Sequence, residues 1–186
     1  MFYRLFFYFF IFCFSFSIDT LQMNVNNKIT NETIPNVNLK DIYRNKVNLK
    51  DLSKDYYVLF NFWNMACEPC KKEMKFLNEF HEKYNKNGFK VISINMDTPR
   101  SMSKVKKYVK SSKYSFEVLQ DPRMDVFRKM GGTIMPFVVI ADNNGSVINK
   151  HIGFNLGDEK SLEKEIQDLL NINDVKSIII QEPINE

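Results

Sequence analysis

Apolar residues fall into short runs between about residue 36 and residue 170, and their spacing predicts which runs are strands. "YYVLFNFW" at 56–63 and "FKVISINM" at 89–96 are nearly continuous apolar runs, which is typical of strands buried on both faces. Two shorter alternating pieces, "NVNLKDI" and "KVNLKDL", are separated by "YRN" and predict a hairpin. A further short strand is predicted at "SFEVL".

Predicted helices alternate with these strands. One begins at Cys67, and "SMSKVKKYVKSSK" predicts a second, solvated helix. In "DPRMDVFRKM" the prediction places Asp121 as N-cap and Pro122 at the first helical position, with the end at Gly131 and Gly132.

The chain closes with a hairpin and a helix. "PFVVIADNNGSVINKHIGF" predicts two strands turning at Asn144-Gly145, and "DEKSLEKEIQDLL" predicts the last helix. The whole order predicts an α/β sandwich with parallel inner strands and an antiparallel hairpin at one side. "SIIIQ", beyond Leu170, is compatible with an added edge strand or a loose tail, and the sequence leaves both open.

The first 17 residues have the pattern of a targeting segment. They hold eight of the 17 phenylalanines, Arg4 is a positive charge near the start, and Ser15 and Ser17 are small residues suited to a cleavage site. We therefore expect a signal peptide at 1–17 and export of the rest. The alternative is a short membrane anchor, although the apolar run would span only roughly 21 Å of a ~30 Å hydrocarbon core.

Composition divides the remainder and limits its partners. Residues 18–34 are polar and rich in asparagine and predict a flexible lead-in, so the domain is expected at 35–171 with a C-terminal tail at 172–186. The chain has 26 basic and 22 acidic residues, a formal net charge of +4. Because these charges are interspersed, the sequence predicts no basic patch and no nucleic-acid partner.

Two of the three cysteines, Cys67 and Cys70, stand three residues apart in "FWNMACEPCKKEM". At ~100° per residue, Cys70 falls on the apolar arc of the helix and Cys67 on its border. A thiolate at a helix N-terminus is stabilised by free N–H groups and the dipole, which lowers a cysteine pKa from about 8.5 to between about 3.5 and 7.5. We therefore expect an exposed attacking Cys67 and an inward resolving Cys70.

Glu73 lies in the middle of the same apolar arc, where a carboxylate is costly. Burial would raise its pKa, and the functional interpretation is a proton carrier or an electrostatic control on Cys70. The alternative is a kinked helix or an acid paired with a lysine at the rim. Between the cysteines, Pro69 fixes the first turn and Glu68 adds negative charge beside the thiolate.

A zinc site is the main alternative for this cysteine spacing. It requires two further ligands, and only His81 and His151 are present, without paired-ligand spacing. We expect no metal, with His81 at an interior edge and His151 in a strand.

The stretch "FWNMACEPCKKEM" resembles the active site of the thioredoxin superfamily, and more closely its exported TlpA/ResA branch. The order of elements from about Pro35 to Leu170, including "GGTIMPFVVIADNNGSVI", is similar to that branch. The resemblance implies a thioredoxin-like three-layer sandwich with a central mixed sheet, an N-terminal β-hairpin extension and an inserted strand and helix.

The resemblance also implies residue roles. Cys67 matches the attacking cysteine, Cys70 the resolving cysteine and Glu73 an acid near the thiols, while Pro136 matches a cis-proline that faces the disulfide. The positions expected to contact the client are Trp63, Glu68, Pro69, Met135 and Pro136.

Three positions depart from the family pattern. Asn61 stands where thioredoxins keep a buried aspartate, which shifts the proton-carrier role onto Glu73. Ala66 replaces a tryptophan beside the first cysteine, and Phe137 follows the proline where a threonine is common. These two changes leave the client contacts in question.

The leading hypothesis is an exported thiol-disulfide oxidoreductase, periplasmic or anchored on the outer side of the cytoplasmic membrane. It would reduce a disulfide in a client protein, by resemblance an apocytochrome c, with electrons from a membrane thiol donor. It would need no cofactor beyond the Cys67–Cys70 disulfide. The alternatives are a disulfide oxidant or isomerase and a copper-binding module of the same fold. A peroxiredoxin is disfavoured by the sequence from Phe62 to Ala66.

Overall fold

A computed structural model of the protein describes residues 32–172, which form a sheet of seven strands with helices on both faces. The strand order is β2-β1-β5-β4-β3-β6-β7. The strands are β1 (Asn38–Asp41), β2 (Lys46–Asn48), β3 (Tyr57–Trp63), β4 (Phe89–Asn95), β5 (Glu117–Gln120), β6 (Phe137–Ala141) and β7 (Val147–Ile152).

The inner strands β3, β4 and β5 are parallel, and antiparallel hairpins close both edges of the sheet. Because β3 is central, both of its faces are covered and it needs no polar alternation. Leu59 and Trp63 belong to the core on one face, and Phe60 and Phe62 belong to the core on the other. Burial of β3 on both faces therefore explains the continuous apolar run at 56–63, as the sequence predicts.

Two layers of helices cover the sheet. The helices in the described residues are α1 (Glu68–Tyr84), α2 (Met102–Ser111), α3 (Asp125–Lys129) and α4 (Asp158–Leu169). Side chains of α1, α2 and α4 pack into one core, while α3 packs into the other together with Ile34 and Leu49. The thioredoxin-like three-layer fold is confirmed, with the hairpin β1–β2 at one edge and β5 followed by α3 ahead of the closing hairpin.

The third helix begins later than the sequence predicts. Asp121 and Pro122 lie in a turn, and Met124, with φ of 55°, precedes the helix in the left-handed region. The side chain of Asp121 still caps the helix across this turn, since its carboxylate accepts the N–H groups of Asp125, Val126 and Phe127 at 2.9 to 3.0 Å. The prediction that Asp121 is the N-cap and Pro122 the first helical residue is therefore wrong, because Met124 is the N-cap, although Asp121 still supplies the capping carboxylate from three residues earlier.

The folded domain also begins earlier than Pro35. Thr33 forms a β-bridge with Ser146, Ile34 is 2% exposed, and Lys150 Nζ forms an ion pair with Glu32 at 2.6 Å. The part of the predicted flexible lead-in that the structure describes, 32–34, is therefore packed on the closing hairpin. The predicted signal peptide, the rest of the lead-in and the tail beyond residue 172 lie outside the described residues. In the described range no helix has the length and apolar character needed to cross a bilayer.

Candidate active site

The two cysteines lie where β3 passes into α1, at the carboxyl edge of the parallel strands. A neighbouring loop fixes this connection, because Asp97, just after β4, accepts the N–H of Met65 at 2.8 Å. Asp97 is held in turn by the side chain of Asn95, whose amide donates to the same carboxylate oxygen at 2.8 Å. The loop that carries Cys67 is thus anchored to the adjacent strand.

Cys67 is the N-cap of α1, and its Sγ accepts the N–H of Cys70 at 3.2 Å. The two residues form a disulfide with a Cα separation of 5.3 Å, so the structure describes the oxidised pair. Pro69 fits here because the first turn of a helix needs no donor from it. One free N–H group in the first turn of α1, that of Cys70, therefore points at the sulfur that the sequence predicts to attack.

The two sulfurs have different surroundings. Cys70 is fully buried, whereas Cys67 is half-buried beside the exposed residues Ala66, Glu68 and Pro69. Lys71 Nζ lies 2.7 Å from the carboxylate of Glu68 and holds the pKa of that acid below its usual range. The predicted asymmetry of the pair is present in the fold.

Glu73 is 3% exposed and follows Cys70 by one helical turn on the buried face of α1. Burial, and to a smaller extent the charge of Asp158 at the start of α4, raises the pKa of Glu73 to about 8. Its Oε2 has no hydrogen-bond partner in the described part of the protein. The alternative left open by the sequence, an ion pair between Glu73 and a lysine at the edge of the apolar face, does not occur among residues 32–172.

Other buried polar groups lie on the same face of the sheet. Asn61 of β3 and Ser93 of β4 are register partners, and both are fully buried. Neither side chain has a hydrogen-bond partner among the described residues. Buried polar atoms are ordinarily paired, so the layer between the sheet and α1 is unusually polar for a core.

Met135-Pro136 is a cis peptide immediately before β6. Strand β6 pairs with β3 so that Phe137 lies opposite Phe62, and the same register places Pro136 beside Trp63. The carbonyl of Pro136 accepts the N–H of Gly153 at 2.8 Å. The half-buried Met135 packs with both cores. The cis-proline is therefore at the same sheet edge as the cysteine loop.

The structure corrects the role predicted for Trp63. Its side chain is 0% exposed, and its ring centroid lies 5.6 Å from that of Tyr108 of α2. A side chain packed this way cannot touch a docked client, because β3 turns this residue toward α2. The prediction that the Trp63 side chain contacts the client is therefore wrong. Of the other four predicted positions, Glu68 and Pro69 are exposed, Met135 is half-buried and Pro136 is buried, and their contact with a client stays a prediction.

Sequence reasoning missed an exposed apolar rim near Pro136. Ile134, Ile152 and Leu156 are 63%, 59% and 72% exposed. The hydrogen bond from Gly153 to Pro136 brings two segments of this rim together, the residues before β6 and those after β7. Apolar residues flanking the predicted strands could have indicated this exposed rim. The sequence alone does not show which of them remain exposed, because that depends on the packing of the fold.

Comparison with known proteins agrees with this geometry. The sequence model of the AhpC/TSA family matches residues 30–150. The chain belongs to the AhpC/TSA family. The match covers the N-terminal hairpin, the cysteine helix and the cis-proline, and it begins ahead of residue 35, as the packing of Thr33 and Ile34 requires.

Two relatives in the family are named thiol-disulfide oxidoreductase ResA. One from a strain of Bacillus cereus is 34% identical over 119 residues, and that of Bacillus anthracis is 33% identical over 119 residues. Each alignment covers 64% of this chain and 67% of the relative. A crystal structure from Chlorobium tepidum, assigned as the thiol:disulfide interchange protein DsbE, has a TM-score of 0.69 and 28% identity, covering 75% of this chain and 96% of that one.

These findings settle the enzyme class. A thioredoxin-like fold, a disulfide between Cys67 and Cys70 at a helix N-terminus and relatives named for thiol-disulfide chemistry together make this AhpC/TSA protein a thiol-disulfide oxidoreductase.

The buried carboxyl predicts an unusual dependence of stability on pH. The pKa of Glu73 is raised from 4.5 to about 8 by folding, so the folded state holds this proton more tightly than the unfolded state. Ionisation of Glu73 therefore opposes folding. The free energy of unfolding should fall as pH rises from about 4.5 to about 8, by about 5 kcal/mol at most.

The Glu73→Gln variant should lose that dependence, because its amide does not ionise. The measurement is urea unfolding of the oxidised protein at several pH values, with Glu79→Gln, an exposed glutamate of the same helix, as control. Parallel curves for the wild type and Glu73→Gln would contradict the raised pKa.

Proposed function

We propose that this protein is an exported reductase of client disulfides that acts through the Cys67–Cys70 pair. The observation that supports the proposal most strongly is the position of Cys67 Sγ, which caps α1 and accepts the N–H of Cys70. A sulfur in this position is stabilised as a thiolate by the free N–H groups and the dipole of the helix. The thiolate is the form that attacks a disulfide.

The proposed reaction has two exchange steps. The Cys67 thiolate attacks one sulfur of the client disulfide, a mixed disulfide forms, and the second client sulfur leaves as a thiolate. The Cys70 thiolate then attacks Cys67 Sγ, which restores the Cys67–Cys70 disulfide and releases the first client sulfur. Two electrons pass to the client, and a thiol donor must return two electrons to the protein.

Glu73 is proposed to accept and return the proton of the Cys70 thiol. Cys70 is fully buried and reacts only as a thiolate, so its proton needs an acceptor within the protein. Glu73 lies one turn away on the same buried face, and its pKa of about 8 keeps it close to the working pH. Asn61 cannot carry a proton in this way because an amide does not titrate in this range.

The client is proposed to dock on the edge that carries the cis-proline. Met135, next to cis-Pro136, would offer its backbone N–H and C=O to an extended client segment, while Glu68 and Pro69 border the disulfide on the other side. The exposed side chains of Ile134, Ile152 and Leu156 add apolar area to this surface. Exposed apolar groups of this kind commonly mark interaction sites.

Export and the direction of electron flow are also proposals. The apolar N-terminal segment supports export, either with cleavage or as a tether to the outer side of the cytoplasmic membrane. In an oxidising compartment a reductase depends on an outside source of electrons, for which we propose a membrane thiol donor. As client we propose an apocytochrome c segment, which is what the resemblance of "FWNMACEPCKKEM" to the exported TlpA/ResA branch implies.

The reduction potential of the Cys67–Cys70 pair tests the proposed direction. Equilibration of the purified protein with dithiothreitol buffers should give a value near or below about −250 mV, since thioredoxin lies near −270 mV. A value near −120 mV is that of a strong oxidant. Such a value would instead make the protein a disulfide donor and reverse the direction proposed here.

The roles of the two cysteines are tested by trapping. Cys70→Ser should accumulate a mixed disulfide between Cys67 and a peptide disulfide, because the resolving sulfur is absent. Cys67→Ser should form little adduct, since Cys70 is fully buried. Intact-mass spectrometry distinguishes the two results, and an equal yield of adduct from Cys67→Ser would exclude the assigned order of attack.

The proton-carrier role of Glu73 is tested by thiol titration. In the reduced protein, Glu73→Gln should change the pH dependence of thiolate absorbance, because the carboxyl and the Cys70 thiol no longer share protons. Glu79→Gln should leave the titration unchanged. If Glu73→Gln titrates as the wild type does while its fold is intact, Glu73 has no part in proton transfer.

A further inference from the structure

A second concave site lies beside the N-terminal hairpin. It is a cleft of about 1090 Å³ between β1, the start of α2 and the turn that follows β5. This volume lies just above the usual range of about 300 to 1,000 Å³ for ligand pockets. The cleft holds neither of the cysteines, nor Glu73 or Pro136.

The lining of this cleft is strongly basic. Two acidic residues, Asp121 and Asp125, line it together with six basic ones: Lys40, Arg44, Arg100, Lys106, Arg123 and Lys129. Removing these residues from the 26 basic and 22 acidic residues of the sequence leaves 20 of each. The cleft lining therefore carries a formal charge of +4, equal to the formal net charge of the whole sequence.

The acidic residues of the cleft are already occupied. The carboxylate of Asp121 accepts three backbone N–H groups of the α3 segment. The carboxylate of Asp125 forms ion pairs with Arg123 at 2.9 Å and with Arg128 at 3.0 Å. Among the described residues, neither acid forms an ion pair with the other five cations of the cleft.

Five of the six cations have no carboxylate partner among residues 32–172: Lys40, Arg44, Arg100, Lys106 and Lys129. All five are exposed. The Nζ of Lys106 lies 5.6 Å from the centroid of the Tyr43 ring. Like charges collected in one recess repel each other, and an anionic ligand relieves that repulsion.

The cleft shares a sheet edge with the disulfide. Arg100 follows β4 and Arg123 follows β5, just as Cys67 follows β3, and these three strands are parallel neighbours. The loop after β4 also contacts the cysteine loop directly, through Asp97 and Met65. At about 4.8 Å between neighbouring strands, β5 lies about 10 Å from β3. At about 3.3 Å per residue, an extended chain covers about 10 Å in three residues, and five residues reach about 16 Å, past β5.

We propose that this cleft binds an acidic segment of the client polypeptide, displaced by several residues from the client cysteine that Cys67 attacks. The proposal rests on the proposed function and specifies its substrate class. A concave recess with charges on several walls suits a chain segment, whereas an anionic membrane surface suits a flat or convex patch. Charge complementarity of this kind acts mainly on association rate and partner choice.

The test compares peptides that differ only in flanking charge. Each carries one intramolecular disulfide, with neutral, acidic or basic residues about three to five positions from the cysteines. Rate constants for oxidation of the reduced full-length protein are measured by stopped flow. We expect the acidic peptide to react about tenfold faster than the neutral one at low ionic strength. The advantage should fall below about twofold at roughly 0.5 M salt.

A triple variant locates the effect. Replacing Lys40, Arg100 and Lys129 with glutamine should remove the preference for the acidic peptide and leave the rate with the neutral peptide unchanged. The matched control replaces Lys86, Lys110 and Lys160, three exposed lysines outside the cleft, with glutamine as well. This control should retain the preference for the acidic peptide. Both variants lose the same net charge, so a general electrostatic effect would lower the preference equally.

The outcomes separate this proposal from the proposed function. If the wild type reduces acidic and neutral peptides at equal rates, the cleft proposal is wrong and the reductase proposal stands. If no peptide is reduced, the reductase proposal itself fails. A cleft variant that keeps the peptide preference but loses binding to phosphatidylglycerol vesicles would overturn the proposal in favour of a membrane site.

Discussion

The hydrogen bond from the Cys70 N–H to Cys67 Sγ joins the fold of this protein to its chemistry. It exists because β3 ends at Trp63 and α1 begins at Glu68, so the short connection between them places a sulfur where a helix needs a capping acceptor. The same constraint turns Cys70 into the core one turn later.

The layer between the sheet and α1 contains polar groups whose burial lowers the stability of the fold. Glu73, Asn61 and Ser93 are all buried and carry polar atoms without partners in the described chain. An apolar core with leucine or valine at these positions would be more stable. Glu73, in the same helix as Cys70, has a pKa of about 8. Its burial lowers the stability of the fold but keeps a titratable group near a thiol.

Periodicity and cysteine spacing were sufficient to predict most of the fold. The apolar run of β3, which is buried on both faces, and the single apolar arc of α1 could both be predicted from local sequence patterns. Contacts between distant segments could not be predicted. Met124 in a left-handed conformation delays α3, the packing of Tyr108 buries Trp63, and Asp97 reaches back to Met65. The basic cleft was missed because its cations come from separate segments that are interspersed with acids along the chain.

The bridge between Thr33 and Ser146 also determines where the chain enters the domain. Strand β6 runs antiparallel to β3, so the turn after Ala141 lies at the pole of the domain opposite Cys67. Whatever precedes Glu32 joins the domain at that pole. A domain held from its N-terminal side therefore presents its reactive sulfurs away from the point of attachment, which leaves the disulfide edge open to a partner approaching from the far side.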